Sequence, residues 1–268
     1  MRIVVKVAGV LLESAEGLEN VSRQIAQLAR EGAELLVIHG GGKAFTATLA
    51  RMGISSRFVN GLRVTDRETR DAAVMVLGGL LNKRLAAAVS GAGVPAIGLC
   101  AADGLAFSAE PMVVEGEEGG LGFVGYLAGV NLEFIERLWQ AGVVPVAASL
   151  GMGRDGELYN INADHMAAAC AEYCHADRLL FLTDVPGVLD GDAVLESVDY
   201  SRVDELVRSG KVQGGMALKL EACRRALDAG VREVRLVPGM APGALTAAGH
   251  GEPAPGTRVA NAAECHAA

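Results

Sequence analysis

The chain has 268 residues, of which 51% are hydrophobic and only 4% aromatic, enough for one large α/β domain or two closely packed lobes. A net charge of −8 excludes a broad basic surface, so we expect no nucleic-acid partner, and an anionic ligand must meet a few individually placed cations. No apolar run approaches ~20 residues and MRIVVKVAGV lacks a signal-sequence pattern, so we expect a cytoplasmic protein without a membrane segment.

Short apolar runs recur along the chain and are continuous rather than alternating in hydrophobicity. This pattern is typical of parallel strands that are covered on both faces. The predicted strands are residues 2–7, 34–39, 95–100, 143–149, 178–184 and 233–238, followed by a short final strand, TRVA, at 257–260.

Helical periodicity separates these runs, and a capping box at Thr65–Glu68 opens a long helical segment. The alternation predicts an α/β fold, a three-layer αβα sandwich around a mainly parallel sheet, with the ligand site in turns beyond the carboxyl ends of the strands. Residues 105–126 are interpreted as hairpins or a flap on this core, and residues 261–268 as a loose tail. If there are two lobes, they should divide near residue 175, after a helix that begins around Asp164.

The second predicted strand leads directly into a triple glycine, HGGGK, at residues 39–43. A Walker A loop is excluded because Val37 replaces its first glycine and Ala44 its hydroxyl residue. The triple glycine could be a tight turn without a ligand, or a nest of backbone N–H groups for a carboxylate or phosphoryl group. Similar glycine turns occur at KVAG (6–9) and GGMALK (214–219), and lysines flank two of the three turns.

Two other patterns have simpler explanations. GMGRDG (151–156) matches a dinucleotide fingerprint but leads into ELYNIN rather than a helix, so it predicts a hairpin turn. Five cysteines without an export signal predict free thiols. Cys170, Cys174 and His175 could seed a metal site, but AAACAEYCHAD is more typical of a small-residue helix packed on a sheet. We therefore expect no metal site built from protein ligands.

An ordered series of motifs spans residues 2 to 260: KVAGVLLES, VIHGGGKAF, NGLRVTD, GGLLNKRL, DGELYNINADHMA, LLFLTDVPGVL, GGMALKLEAC and GTRV. In this order they resemble the amino acid kinase family, and within it the N-acetyl-L-glutamate kinases. The resemblance implies a carbamate kinase-like fold and transfer of the γ-phosphoryl group of ATP to the side-chain carboxylate of N-acetyl-L-glutamate in arginine biosynthesis. It also implies an amino-acid lobe at 1–175, which also dimerises, and a nucleotide lobe at 176–268.

The catalytic residues implied by the resemblance are Lys6, Lys219 and Asp164. The two lysines are expected on opposite sides of the migrating phosphoryl group, with Asp164 organising them. A lysine within an apolar strand is costly to desolvate, so Lys6 should meet an anion. On local sequence alone Asp164 could instead be a helix N-cap, and the two roles are compatible.

For the acceptor, the resemblance implies that Arg63 clamps the α-carboxylate and that Asn160, together with Asn162, bonds the acetamido side. Gly41 and Gly42 would cradle the reacting oxygens. Nucleotide contacts are expected from Gly9, Thr183, Asp184, Gly187, Val188, Lys211, Gln213, Gly214 and Gly215. Mg²⁺ should arrive bound to the ATP phosphates.

Two stretches depart from the family pattern. Ala8 stands where relatives usually have glycine, which would strain the loop if that position needs a positive φ and cost nothing if φ is negative. GLCAADG (98–104) lacks the lysine of the usual GLSGKDG. We expect these departures to tune activity rather than abolish it.

Two other functions remain open at this point. One is the carrier-linked aminoadipate or glutamate kinase of lysine biosynthesis, against which GLRVTD and the acidic balance argue. The other is a catalytically silent ligand-binding module of the same fold. Because the first strand begins at Arg2, the resemblance also implies a homodimer without arginine feedback.

Overall fold

The computed structural model describes residues 1–113, 120–212 and 214–260. Its strands are β1 (Arg2–Val7), β2 (Glu34–His39), β3 (Phe58–Val59), β4 (Leu62–Arg63), β5 (Ala96–Leu99), β6 (Phe107–Pro111), β7 (Val124–Val130), β8 (Val144–Ala148), β9 (Leu150–Met152), β10 (Leu158–Ile161), β11 (Arg178–Thr183), β12 (Leu189–Asp190), β13 (Ala193–Val194), β14 (Ser197–Asp199), β15 (Glu233–Pro238) and β16 (Thr257–Ala260). Its α-helices are α1 (Ala15–Arg30), α2 (Gly42–Arg51), α3 (Arg67–Ala73), α4 (Asn82–Gly91), α5 (Leu132–Gln140), α6 (Ala163–Tyr173), α7 (Tyr200–Arg208), α8 (Gly215–Asp228) and α9 (Ala244–His250).

The main sheet has eight strands in the order β14-β16-β15-β11-β1-β2-β8-β5. The run from β15 to β5 is parallel, whereas β16 pairs antiparallel with β15 and carries β14 parallel to itself. All six predicted apolar runs belong to this sheet, and TRVA is confirmed as β16. The predicted mainly parallel sheet is therefore confirmed.

Helices cover both faces of the sheet. Alternate residues of β1 show the two layers, since Ile3, Val5 and Val7 pack in a core with α1, α4 and α9, while Val4 packs in a core with α5, α6, α7 and α8. Side chains of successive strand residues point to opposite faces, so a strand covered on both faces must be apolar throughout. This arrangement confirms the three-layer αβα sandwich.

A small barrel of four strands, in the order β10-β7-β6-β9, stands beside the carboxyl ends of the central strands. It contains the GMGRDG stretch as the turn between antiparallel β9 and β10, so the predicted hairpin is confirmed. The predicted flap at 105–126 is the antiparallel β6–β7 pair where the structure describes it. Residues 114–119 of that stretch and the predicted tail at 261–268, which includes Cys265, lie outside the described residues.

One helix of 25 residues runs from Arg67 to Gly91. A π-helical segment, Val74–Leu81, joins α3 to α4 within it. Length and composition alone would let this helix cross a membrane, but half of its most apolar window is buried inside the protein, as in core helices of globular proteins. The expected absence of a membrane segment stays a prediction.

The capping box that opens this helix is corrected in one respect. The N-cap is Asp66, whose carboxylate accepts a hydrogen bond from the Thr69 N–H at 2.8 Å. Thr65 instead is fully buried and accepts a hydrogen bond from Asn160. Its position in the site therefore outweighs its local preference for capping.

The cysteines of AAACAEYCHAD serve packing, as the sequence favours. Cys170 and Cys174 are buried in α6, and burial raises the pKa of the Cys174 thiol to about 12. Among residues 1–113, 120–212 and 214–260, no three His, Cys, Asp or Glu side chains are grouped as metal ligands.

Candidate active site

A cavity of about 230 Å³ opens at the carboxyl ends of the central strands β1, β2 and β8. Parallel sheets place their ligand sites at this edge, because the turns that follow the strands meet there. Most of its lining comes from three parts of the fold: the ends of β1 and β2 with the turns after them, the β3–β4 hairpin that roofs it, and the segment from β10 into α6; the π-helical segment, β7 and the residue after β8 contribute one residue each. The residues involved are Lys6, Gly9, Gly40, Gly41, Gly42, Phe45, Phe58, Gly61, Leu62, Arg63, Leu77, Val124, Ser149, Asn160, Ile161, Asn162, Ala163 and Asp164.

Lys6 and Asp164 line the floor of this cavity, and Lys219, which is not among the lining residues, pairs with the same aspartate from behind them. Lys6 Nζ lies 2.7 Å from Asp164 Oδ1, and Lys219 Nζ lies 3.0 Å from each oxygen of the same carboxylate. The three side chains are 10%, 12% and 11% exposed, so each keeps only a narrow opening to solvent. The two lysines, which lie far apart in sequence, are therefore brought together around one carboxylate.

In this triad the formal charges of two lysines and one aspartate meet in a largely desolvated place. Burial alone would raise the pKa of Asp164, but the charges of Lys6 and Lys219 outweigh it and lower the pKa to about 2. Burial lowers the pKa of Lys6, and Lys219 adds to that effect while Asp164 opposes it. Asp164 is thus a fixed anion that holds two lysines together beside the cavity, and it is too acidic to act as a general base near neutral pH.

The glycine turns after β1 and β2 pack against each other beside the triad. A Cβ on Gly9 would lie 3.0 Å from the Gly42 nitrogen, and one on Gly41 would lie 2.3 Å from Leu77 Cδ2. Gly42, the first residue of α2, has a φ of +44°. Glycine is thus required both for the tight turn and for the close approach, and the backbone N–H groups at the start of α2 lie beside the cavity, where a helix amino terminus favours an anion.

Ala8 does not strain this arrangement. Its φ is −66° and its ψ is 135°, which is ordinary extended backbone for any residue. The Ala8 side chain packs against the core formed with α1 and α9. Of the two possibilities that the sequence left open, the negative φ is confirmed. The second departure, GLCAADG, also makes an ordered turn, in which Asp103 accepts the Cys100 N–H at 2.6 Å.

Arg63 lies in the cavity roof between two phenyl rings. Its guanidinium carbon is 4.9 Å from the centroid of Phe45 and 4.6 Å from that of Phe58. Its Nη2 donates to Thr46 Oγ1 at 2.7 Å and its Nη1 donates to the Ser56 hydroxyl. Stacking and hydrogen bonding fix the plane of the guanidinium, which is the condition for two-pronged binding of a carboxylate.

The two asparagines before α6 have different tasks. Asn160 lines the cavity, and its Nδ2 donates to Thr65 Oγ1 at 3.2 Å. Asn162 is the N-cap of α6, with its Oδ1 accepting from the N–H groups of Asp164 and His165 at 2.9 and 3.1 Å. The alternative that Asp164 caps this helix is therefore wrong, since Asp164 lies in the first turn. The Asn162 oxygen is committed to the helix, so its Nδ2 is the atom that can meet a ligand.

A comparison with known proteins decides the family, since a model of the amino acid kinase family matches residues 1–238. The chain belongs to the amino acid kinase family. This amino acid kinase is 52% identical over 240 residues to acetylglutamate kinase of Koribacter versatilis (strain Ellin345). The aligned region covers 89% of this chain and 90% of the relative. It is 47% identical over 236 residues to acetylglutamate kinase of Methanopyrus kandleri (strain AV19), and the aligned region covers 86% of this chain and 92% of that relative.

The fold of this amino acid kinase also resembles solved structures. The crystal structure of smu.665 from Streptococcus mutans UA159 superposes with a TM-score of 0.82 at 28% sequence identity and covers 96% of this chain and 98% of that one. The resemblance drawn from the motifs and the predicted fold class are thereby confirmed.

The residues predicted for nucleotide binding lie, apart from Gly9, outside the cavity lining. Thr183 ends β11, and the loop after it is tied to β16 because the Val188 N–H donates to Thr257 Oγ1 at 2.8 Å. A Cβ on Gly187, whose φ is +154°, would lie 2.6 Å from the same hydroxyl. Asp184 follows Thr183 directly in this loop.

The other predicted nucleotide residues precede or begin α8. Lys211 Nζ pairs with Asp190 Oδ1 at 2.6 Å, Gly214 has a φ of +57°, and Gly215 opens the helix. Gln213 lies outside the described residues. Gly214 and Gly215 therefore form the amino terminus of α8, and Lys219 follows in the early part of the same helix.

Sequence reasoning missed several residues of the site. His39 is fully buried beneath the triple glycine, where its Nδ1 lies 3.2 Å from the Gly40 oxygen and its Nε2 lies 3.1 Å from Asn82 Nδ2. Burial lowers the pKa of His39 to about 4, so this ring is neutral and structural. Ser149 and Phe58 also line the cavity. Ser149 could have been found as a hydroxyl at the carboxyl end of the predicted strand 143–149, but no pattern singles out Phe58.

Proposed function

We propose that this amino acid kinase transfers the γ-phosphoryl group of ATP to the side-chain carboxylate of N-acetyl-L-glutamate. The products are N-acetylglutamyl 5-phosphate and ADP. The observation that carries this proposal is the buried group of Lys6, Asp164 and Lys219, of which Lys6 and Asp164 line a cavity that also holds Arg63. The acetylglutamate kinases among its relatives support the choice of acceptor.

The reaction needs positioning and positive charge rather than a base. An acceptor carboxylate is already ionised near neutral pH, so one of its oxygens bonds to the γ-phosphorus while the bond to the β,γ-bridging oxygen breaks. Lys6 and Lys219 supply cations on either side of the group that moves, and Asp164 holds both by its carboxylate. A low-dielectric surrounding strengthens each of these interactions.

The acceptor is held by three parts of the cavity in this proposal. Arg63 binds the α-carboxylate with its fixed guanidinium fork, and the amide of Asn160 bonds the acetamido group, with the Asn162 Nδ2 beside it. The backbone N–H groups of Gly41 and Gly42 bind the oxygens that gain and lose charge. N-acetyl-L-glutamate is a small dianion, so a few placed cations can bind it although the net charge of the chain is negative.

ATP is proposed to bind beside the strands that the carboxyl-terminal half of the chain contributes to the sheet. The glycine turns at Gly9 and Gly214–Gly215 would receive phosphates, with Lys211 nearby, and the loop from Thr183 to Val188 would border the nucleoside. This divides the chain into an amino-acid half at 1–175 and a nucleotide half at 176–268, joined by one continuous sheet. Use of ATP would place the reaction in the cytoplasm.

Mg²⁺ is proposed to be held mainly by the ATP phosphates. Both oxygens of Asp164 are engaged by lysines, and the described residues contain no group of three potential metal ligands. The donor set therefore fits a metal that enters with the nucleotide rather than one held by a protein cage, and it would neutralise phosphate charge there.

A homodimer is proposed through the end of the sheet at β5. This edge strand and the neighbouring long helix expose large apolar side chains, since Met75 is 55%, Leu80 46% and Ile97 40% exposed. Lys83 Nζ donates to the Gly98 oxygen at 2.7 Å and ties the helix to the strand. An apolar surface beside an open sheet edge is typical of an interface.

The decisive experiment measures ADP formation in a coupled assay with N-acetylglutamate and MgATP. We expect turnover that Lys219→Ala reduces by about 10²–10³-fold in kcat, because one of two cations around the phosphoryl group is lost. Arg224→Ala, an exposed cation on the same helix, serves as the control and should retain activity. Equal or higher turnover with a carrier-linked aminoadipate would favour the rival kinase, and binding without turnover would favour a silent module.

A further inference from the structure

The β3–β4 hairpin that roofs the cavity has a rigid turn. Its two central residues, Asn60 and Gly61, have φ values of +49° and +80°. Two successive positive φ values define the tight turn that matches the twist of a two-residue hairpin. The tight turn and the strand pairing therefore fix Phe58 and Arg63 to each other in one short hairpin.

The tip of this hairpin touches helix α8. A Cβ on Gly61 would lie 2.8 Å from Leu218 Cδ1 and 3.8 Å from its Cγ, so the glycine backbone packs directly on the leucine side chain. Leu218 is partly exposed and immediately precedes Lys219 in α8. α8 is anchored in the core through Leu220 and Cys223. The Leu218 side chain, however, lies outside the core clusters, so its contact with Gly61 depends on the position of the roof.

The contact joins the two halves of the proposed site. On one side, the hairpin carries the stacked Arg63 in the acceptor cavity. On the other side, α8 begins at the proposed phosphate turn and carries Lys219, which pairs with Asp164. A displacement of the hairpin would therefore act on Leu218, which is the residue next to Lys219.

We propose that Leu218 is a positioning residue that couples acceptor binding to nucleotide binding through its contact with Gly61. The inference rests on the proposed assignment of the acceptor to Arg63 and of ATP to the α8 side. An acceptor that holds the roof down presses the hairpin tip on Leu218 and fixes α8 in the position that ATP needs. By linkage, ATP bound at α8 must favour the lowered roof by the same factor.

The test is the affinity of a non-hydrolysable ATP analogue, AMP-PNP with Mg²⁺, measured by calorimetry with and without saturating N-acetylglutamate. In the unaltered protein the acceptor should tighten AMP-PNP binding by about 5-fold or more, within the usual range of coupling between sites. In Leu218→Ala this ratio should fall towards one, while circular dichroism and the melting temperature show a folded protein. A ratio of one in the unaltered protein, or an unchanged ratio in Leu218→Ala, overturns the proposal.

A matched pair of glycine variants separates the contact from backbone strain. Gly61 and Gly53 both have positive φ, +80° and +75°, but an added Cβ meets Leu218 at Gly61 and nothing within 4 Å at Gly53. Gly61→Ala should raise the KM for N-acetylglutamate several-fold more than Gly53→Ala does. In the Leu218→Ala background this excess should shrink, since the partner is gone. An excess of equal size in both backgrounds contradicts the proposed contact.

One further variant distinguishes the inference from the assignment on which it rests. Arg63→Ala should weaken binding of N-acetylglutamate alone. If it does not, the assignment of the acceptor fails and the coupling falls with it. If it does, and the ratio in Leu218→Ala is unchanged, the assignment stands and the role of Leu218 is refuted.

Discussion

At the scale of single residues, the energetics of the site depend on one carboxylate shared by two lysines. Asp164 Oδ1 forms ion pairs with Lys6 Nζ at 2.7 Å and with Lys219 Nζ at 3.0 Å. Each of the three side chains is about nine-tenths buried. Removing one partner of such a group leaves an uncompensated buried charge, which costs more than the original pairing contributes. Substitutions of these residues should therefore affect stability as well as the proposed activity.

Asp164→Asn should lower kcat by about 10²-fold or more, because two lysines that repel each other no longer keep their positions. The side chain keeps its shape, so a loss of activity reports charge rather than packing. Steady-state kinetics with N-acetylglutamate and MgATP measure it. Near-normal kcat in a folded Asp164→Asn protein would contradict the role given to this residue.

The acid stability of the protein should also depend on Asp164. Its folded pKa of about 2 lies below the ordinary value of 3.8, so its stabilising contribution is complete above pH 3.8 and is lost as the pH falls through about 2. Urea unfolding between these pH values should show a fall in the free energy of unfolding that is smaller in Asp164→Asn. Parallel curves for the two proteins would show that the carboxylate is not stabilised in this way.

Ala8→Gly tests whether the family glycine is needed. Because φ at this position is already −66°, glycine relieves no strain; it adds freedom to the unfolded chain and removes a methyl group that packs against the core. We expect the free energy of unfolding to fall by about 0.4–1 kcal/mol with kcat unchanged. A gain in kcat would mean that alanine misplaces the turn after all.

Only part of this residue-level picture was accessible from the sequence. An anion beside Lys6 follows from a lysine in an apolar strand, and it is Asp164. Asn162 caps α6 and Asp164 is the counterion of the lysines. Local sequence preference does not decide between these two residues as the cap, because it does not fix the first residue of a helix to within two positions. The stacking of Arg63 between Phe45 and Phe58 is a through-space contact that no spacing encodes.

At the scale of elements, the amino terminus of α6 sets the position of the aspartate. Asn162 caps the helix and fixes its first turn, in which Asp164 lies. The apolar runs located the six parallel strands well because burial on both faces leaves a clear signal. The π-helical segment, the small barrel and the Asn160–Thr65 contact follow from tertiary packing, which single-strand patterns do not show.

Asn162→Ala should reduce the free energy of unfolding by about 1 kcal/mol, the usual effect of losing a cap, and should also lower kcat. The control is Ser14→Ala, since Ser14 caps α1 by accepting the Gly17 N–H at 3.0 Å and lies away from the cavity. The two variants should lose similar stability in urea unfolding, but Ser14→Ala should keep kcat. An equal loss of kcat in both would assign the effect to stability alone.

At the scale of the whole molecule, the sheet ends in two edge strands, β14 and β5. The strand order ends at β5, where Met75, Leu80 and Ile97 are exposed. The sequence predicted the order of turns that form the site, because they follow successive strands of a parallel sheet. The edge was not visible in the sequence, since strand order in the sheet differs from chain order.

Leu80→Glu should convert the proposed dimer to a monomer, because a charge buried at an apolar interface is strongly unfavourable. Sedimentation velocity measures the change. Met240→Glu is the control, as Met240 is also exposed (43%) but lies in another part of the molecule. The same mass for the Leu80 and Met240 variants would remove this edge as the interface.

The central place of β1 has a consequence for how the chain could be divided. β1 is hydrogen-bonded on one side to β2 and on the other to β11, which belongs to the second half of the sequence. A cut at His175, a turn residue with a φ of +50°, would therefore leave two fragments that each expose an unpaired strand edge. Lys6 and Lys219, the two lysines proposed to act in catalysis, would lie in different fragments, so the proposed activity could be rebuilt only by complementation of the two.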